Sequence, residues 1–169
     1  MRGALLTIAG LLLLVVIGIY WMYYATGETV LSPEELAERA LTASSPEEKE
    51  AAAVQLSQAG AAGVEQMRRV YKQSDVDEVR AACVKGLGVL RDYDSMDVFF
   101  QSLEDDSPLV RGRAGVAMVR MLGRDYQFRA NGSPAERAQA IAGMKKAWAE
   151  MEPDLDRIKK EMRKKNGTS

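Results

Sequence analysis

The sequence predicts an all-α protein: a short α-solenoid of about three helical hairpins with capping helices, preceded by a single transmembrane helix. Three observations predict it. An uncharged apolar run opens the chain, Ser-Pro pairs recur where helices should begin, and one stretch repeats itself after a fixed shift.

The opening run, Ala4 to Tyr24, carries no charge. At about 1.5 Å per residue a helix of this length matches the roughly 30 Å hydrocarbon core of a bilayer. Tyr20, Trp21, Tyr23 and Tyr24 cluster at its C-terminal end, where rings with a polar tip favour the interface. A cleaved signal peptide has a shorter apolar region, about 7–15 residues, and small residues at its cleavage site. Here Tyr23-Tyr24-Ala25 puts bulk at that place. The expected organisation is an anchor over 1–25, a linker over 26–32, a helical repeat domain over 33–165 and a disordered tail over 166–169. Arg2 lies closer to the membrane than Arg39, the first basic residue on the other side. The positive-inside rule then puts the domain outside the cytoplasm.

Four prolines follow serine: Ser32-Pro33, Ser45-Pro46, Ser107-Pro108 and Ser133-Pro134. A serine hydroxyl caps an otherwise unpaired helix N–H, and proline suits the first helical position because it has no N–H to leave unpaired. Glu35, Glu48 and Glu136 stand three residues after their serines, the spacing of a capping box. Ser74-Asp75-Val76-Asp77 is a further start. Pro153 separates the last two helices. Between these signals the apolar residues recur at helical spacing, as in Met96, Phe99, Phe100 and Leu103. Helices are expected over 33–43, 46–58, 61–73, 76–91, 94–104, 108–122, 134–151 and 154–164. The first and last have narrow apolar sides, Leu36, Ala40 and Leu41 in one and Leu155, Ile158 and Met162 in the other, which suits end caps.

One constant shift along the chain carries Asp75 onto Asp106, Val79 onto Val110, Arg80 onto Arg111, Cys83 onto Ala114 and Leu87 onto Met118. The same shift in the opposite direction brings Ser44, Lys49, Ala52 and Leu56 to the same places. DVDEVRAACVKGLGVL and DDSPLVRGRAGVAMVRMLG resemble the first helices of HEAT repeats, of the short type also found in phycobilisome-lyase-like proteins. The good copies cover about 74–123, and a degenerate copy covers about 44–73. The segment GRDYQFRANG, Gly123 to Gly132, departs from the pattern by lengthening the third loop, which makes it a candidate functional loop.

Several functions are excluded or disfavoured. The chain has no histidine, so the histidine–glutamate ligand pairs of di-iron hydroxylases on this kind of fold are impossible, and the commonest general base is missing. One cysteine forbids an intrachain disulfide. Cys83 falls at the small, core-facing repeat position, where a thiol packs as a hydrophobe. Trp148 shares a stripe with Ile141, Met144 and Met151 and is read as core. No residue set fits a tetrapyrrole, no phosphate-binding glycine loop is present, and no cofactor or metal is expected. A formal net charge of -1 gives no global pull toward nucleic acid.

The expected function is therefore a membrane-anchored module, without catalytic activity, that binds another protein. The HEAT resemblance implies that second helices line the concave face. The candidate contacts are then Arg68, Arg69 and Lys72 in the first unit, Asp97 and Gln101 in the second, and Arg137, Lys145 and Lys146 in the third. Tyr126, Phe128 and Arg129 of the insert join them. An alternative partner is an anionic membrane surface or nucleic acid, met by Arg157, Lys159, Lys160, Arg163, Lys164 and Lys165 of the last helix.

Overall fold

A computed structural model of the chain describes Ile17 and residues 31–165, with side chains at all of these but 162, 163 and 165. The rest of the apolar run 4–24, most of the linker and the tail 166–169 lie outside the described residues. Ser32 begins a compact unit distinct from Met1–Leu31. Among the described residues there is no strand, and no helix is long and apolar enough to cross a membrane.

The elements are α1 (Pro33–Thr42), α2 (Pro46–Gln58), α3 (Val64–Gln73), α4 (Asp77–Leu90), α5 (Met96–Leu103), α6 (Pro108–Leu122), α7 (Pro134–Met151) and α8 (Leu155–Lys165). Short 3₁₀ turns, Gly60–Gly63, Tyr93–Ser95 and Glu152–Asp154, lead into α3, α5 and α8. Reading those turns as α-helix made the expected helices 61–73, 94–104 and 154–164 begin early. Each turn is tighter than an α-helix and redirects the chain.

Local chemistry explains the starts. Ser32 and Ser133 make full capping boxes, with Glu35 and Glu136 each returning a bond to the serine N–H at 2.8 Å. Ser45 caps Glu48 through its hydroxyl alone. Ser107 caps nothing with its side chain, and α4 starts after Val76 rather than at an acid or hydroxyl. At both of these starts a turn closes first. The Ser74 hydroxyl accepts from Val76 N–H at 3.2 Å, and at the shifted position the Asp105 carboxylate accepts from Ser107 N–H at 2.9 Å. The polar residue therefore sits two positions before the cap.

α4 is the central helix and packs against α2, α3 and α6. It is accordingly buried almost all round: Val79, Ala81, Ala82, Cys83, Val84, Gly86, Leu87 and Gly88. Glycine inside a helix costs about 0.5–1 kcal/mol relative to alanine, and the packing explains why it stands here. A Cβ on Gly88 would lie 2.6 Å from the Ala117 Cβ of α6, and one on Gly86 would lie 2.5 Å from Met67 Sδ of α3. Around this crossing Leu56, Met67, Leu87, Phe99, Leu103, Met118 and Met144 are fully buried. Large apolar side chains of this kind contribute about 1.5–3 kcal/mol each when removed from water.

Arginines join the turns. Arg80 donates from Nη1 to the Ser74 carbonyl (3.2 Å) and grips the Asp105 carboxylate with Nε and Nη2, each at 3.0 Å. Arg111, its counterpart under the same shift, donates from Nη1 to the Asp105 carbonyl at 2.8 Å and from Nε to the Ala130 carbonyl at 2.8 Å. Each arginine thus fastens the turn before its own helix to a loop later in the chain.

Candidate functional site

The residues expected to form a second-helix ridge are mostly engaged with their own fold. Arg68 bonds through Nε to Ser95 Oγ (2.7 Å) and to Asp92 through Nε and Nη2, tying α3 to the turn before α5. Desolvation works against its charge, but the bond and charge of Asp92, together with the charges of Glu65 and Asp94, outweigh it and raise the guanidinium pKa. Arg69 pairs with Glu38 of α1 at 2.9 Å while its Nε is buried without a partner among the described residues. Lys72 lies 3.7 Å from Asp97, and Lys145 lies 3.7 Å from Glu104 with its ammonium over the Phe100 ring. Arg137 donates to the Gly132 carbonyl at 2.6 Å. Gln101 and Lys146 are exposed.

The insert between α6 and α7 is pinned by its aromatics. Phe128 fills the place a Cβ on Gly115 of α6 would need, at 2.8 Å, and Tyr126 lies against Gly143 of α7. Gln127 between them takes a positive φ of 55°. An open cleft of about 380 Å³ runs between this loop and α7, lined by Tyr126, Gln127, Arg129, Glu136, Gln139, Ala140 and Gly143. Its one carboxylate, Glu136, is already spent on the Ser133 cap. Bonds from the Ser133 backbone and hydroxyl hold its pKa below the ordinary value. Arg129 is exposed at the rim. The cleft brings no reactive pair together.

The α8 helix is partly neutralised. Arg157 pairs with Asp154 at 3.0 Å, and Lys159 reaches Asp94 at 2.7 Å, which leaves Lys160 and Lys164 exposed. Trp148 is half-buried and stacks on Tyr93 with ring centroids 6.3 Å apart. The Tyr93 hydroxyl donates to the Met121 carbonyl. Cys83 is fully buried, and desolvation pushes its thiol up to about 12, so it is inert at neutral pH. No group of acids and cysteine with metal-binding geometry occurs among the described residues.

A different surface emerges on α2, α4 and α6. Apart from Ile17, the exposed large hydrophobics among the described residues are Val54, Val89, Leu109, Val116 and Val119, and all five lie on these helices. Val89 and Val116 are 55% and 60% exposed. They border a groove of about 150 Å³ between α4 and α6, lined also by Lys85, Gly88, Arg113, Ala117 and Arg120. A second groove continues it toward α2, past Leu109, Ala81 and Ala82 to Val54, with Glu50 and Glu78 at its edge. Val89, Val116, Leu109 and Val54 thus line two adjoining grooves, while Val119 borders a separate one beside Phe128 and Ala130. Lys85, Arg113 and Arg120 are exposed and make no ion pair among the described residues.

Helical spacing in the sequence carries a signal for this strip: Leu109, Arg113, Val116 and Arg120 recur at i, i+4, i+7 and i+11. It is masked because α6 is apolar on its other sides too. Comparisons with family models, with curated proteins and with solved structures find no match to the chain.

Proposed function

We propose that the chain is a membrane-anchored α-solenoid of HEAT-like hairpins that binds another protein and has no catalytic activity. The observation that carries the reading is the apolar strip on α2, α4 and α6. It clusters exposed apolar side chains along two adjoining grooves, and clustering of this kind is what interaction surfaces display. The solenoid reading is supported by the recurrence of one set of bonds under the shift that aligns the sequence with itself. The Ser74–Val76 turn with Arg80 matches the Asp105–Ser107 turn with Arg111. The anchor rests on the uncharged length and aromatic end of the run 4–24. Binding to anionic lipid or nucleic acid through α8 has less support, because Asp154 and Asp94 already occupy two of its cations.

The test places a photo-crosslinking amino acid at Val89, at Val116 or at Gln139 in the full chain within its native membranes. The reading expects one adduct of the same mass from Val89 and Val116, lost when Leu109 and Val119 are both changed to serine, and none from Gln139. Absence of an adduct along the strip would end it.

A further inference from the structure

We infer that the groove between α4 and α6 seats an acidic amphipathic helix of the partner protein. This inference rests on the interaction reading above and specifies the chemistry of the occupant. The floor is the Gly88–Ala117 crossing, where small residues leave the depression open. Val89 stands on one wall and Val116 on the other, both largely exposed. Cations rise on both sides, Lys85 from α4 and Arg113 and Arg120 from α6.

A helix fits this shape because its apolar side chains recur at i, i+3, i+4 and i+7 and can drop into a channel between two parallel ridges. Charge selects its flanks. Three exposed cations around an apolar floor favour aspartate or glutamate beside the buried aliphatics, and they repel a basic helix. The strip also has a direction. Lys85 and Arg113 line both grooves and Arg120 lines the one between α4 and α6, whereas Glu50 of α2 and Glu78 of α4 line the groove toward α2. The acidic part of the occupant therefore lies over Arg113 and Arg120.

The experiment uses the full chain in neutral-lipid nanodiscs, with empty nanodiscs as the blank. The probes are two labelled helical peptides with identical leucine spacing, one flanked by glutamate and one by lysine, and binding is read by fluorescence anisotropy. The glutamate peptide is expected to bind and to weaken as salt rises. Arg113→Glu with Arg120→Glu should weaken it by about tenfold or more and transfer preference to the lysine peptide, as swapped charges do when they face each other. Val89→Ser with Val116→Ser should weaken binding of the glutamate peptide without transferring preference to the lysine peptide. Circular dichroism checks that each variant keeps its helix content.

Equal binding of both peptides would overturn the inference, as would an affinity unmoved by the charge reversal. It would also fall if Lys146→Glu, on α7, had the effect expected of Arg113 and Arg120. Self-association of the chain that disappears on charge reversal would overturn it too, in favour of a second copy as occupant. A crosslink from Val116 in native membranes that survives the charge reversal would overturn this inference alone. Loss of all crosslinks along the strip would remove the reading beneath it.

Discussion

Replacing Arg80 with methionine tests how α4 is fastened to the turn before α6. Methionine keeps the aliphatic stem and removes five donors. The structure defines what is lost: a two-pronged grip on Asp105 at 3.0 Å, a 2.7 Å bond to Asp77 and a 3.2 Å bond to the Ser74 carbonyl. The Arg80 and Asp105 side chains are 16% and 11% exposed, so water replaces little of this. Breaking a buried pair from one side costs about 3–5 kcal/mol. Asp105 keeps its bond from Ser107 N–H, and the pair is not wholly dry, so the cost should be nearer 2–3 kcal/mol, in the range set by charged hydrogen bonds. Asp105→Asn should lose less, because an amide oxygen still accepts. The double variant should be less damaging than the sum by about 1–2 kcal/mol, since it strands no charge. Urea denaturation followed by far-ultraviolet circular dichroism measures all three. A cost below about 0.5 kcal/mol for Arg80→Met, the level of an ordinary surface change, or strict additivity with Asp105→Asn, would refute the reasoning.

Three further predictions use the same denaturation assay or amide exchange. Gly88→Ala gains about 0.8–1 kcal/mol of helix propensity, but its Cβ would meet the Ala117 Cβ at 2.6 Å and the Ala117 Cα at 3.2 Å. Overpacking of about 1–3 kcal/mol outweighs the gain, so the midpoint should fall. Arg91 ends α4 at φ 52° in the left-handed region, in an exposed position. Glycine there should stabilise by about 0.5–1 kcal/mol, the relief of strain less the added freedom of the unfolded chain. The Lys159 hydrogen bond, against a smaller opposing effect of burial and with help from the charges of Lys159 and Arg68, holds the Asp94 carboxyl below its ordinary value. A depressed acid stabilises the fold above its unfolded pKa, and that contribution is lost as pH falls through the folded value. Amides of α8 should therefore exchange faster relative to α7 as pH drops below about 3.9, and Asp94→Asn should abolish the difference.

Most of the helical layout was legible because its signals are local. Ser32-Pro33 and Ser133-Pro134 mark starts through bonds that span three residues, and sequence shows them directly. The start of α4 was harder. Ser74 spends its hydroxyl on the turn, so the cap falls on Val76, which has no polar side chain to reveal it. The role of Arg68 was invisible, because its partners Asp92 and Ser95 come from a turn far along the chain. A periodic cation on an amphipathic helix looks the same whether it faces water or a neighbouring loop. The strip on α2, α4 and α6 was hidden for the opposite reason. Helices covered on several sides are apolar nearly all round, and periodicity does not separate Val84, fully buried, from Val89, mostly exposed.

The reach of Arg80 into the next turn sets where the chain tolerates a change of length. Adding or removing one residue within α4 or α5 rotates everything beyond it by about 100° at roughly 3.6 residues per helical turn, so Asp105 would swing away and α4 would come loose from the turn before α6. Among the described residues the segment 131–133 is bonded to its own loop and to α7, and a residue added there should be absorbed locally. Lengthening therefore belongs where it keeps the arginine and the acid in step, or between Ala130 and α7, beyond the bond from Arg111.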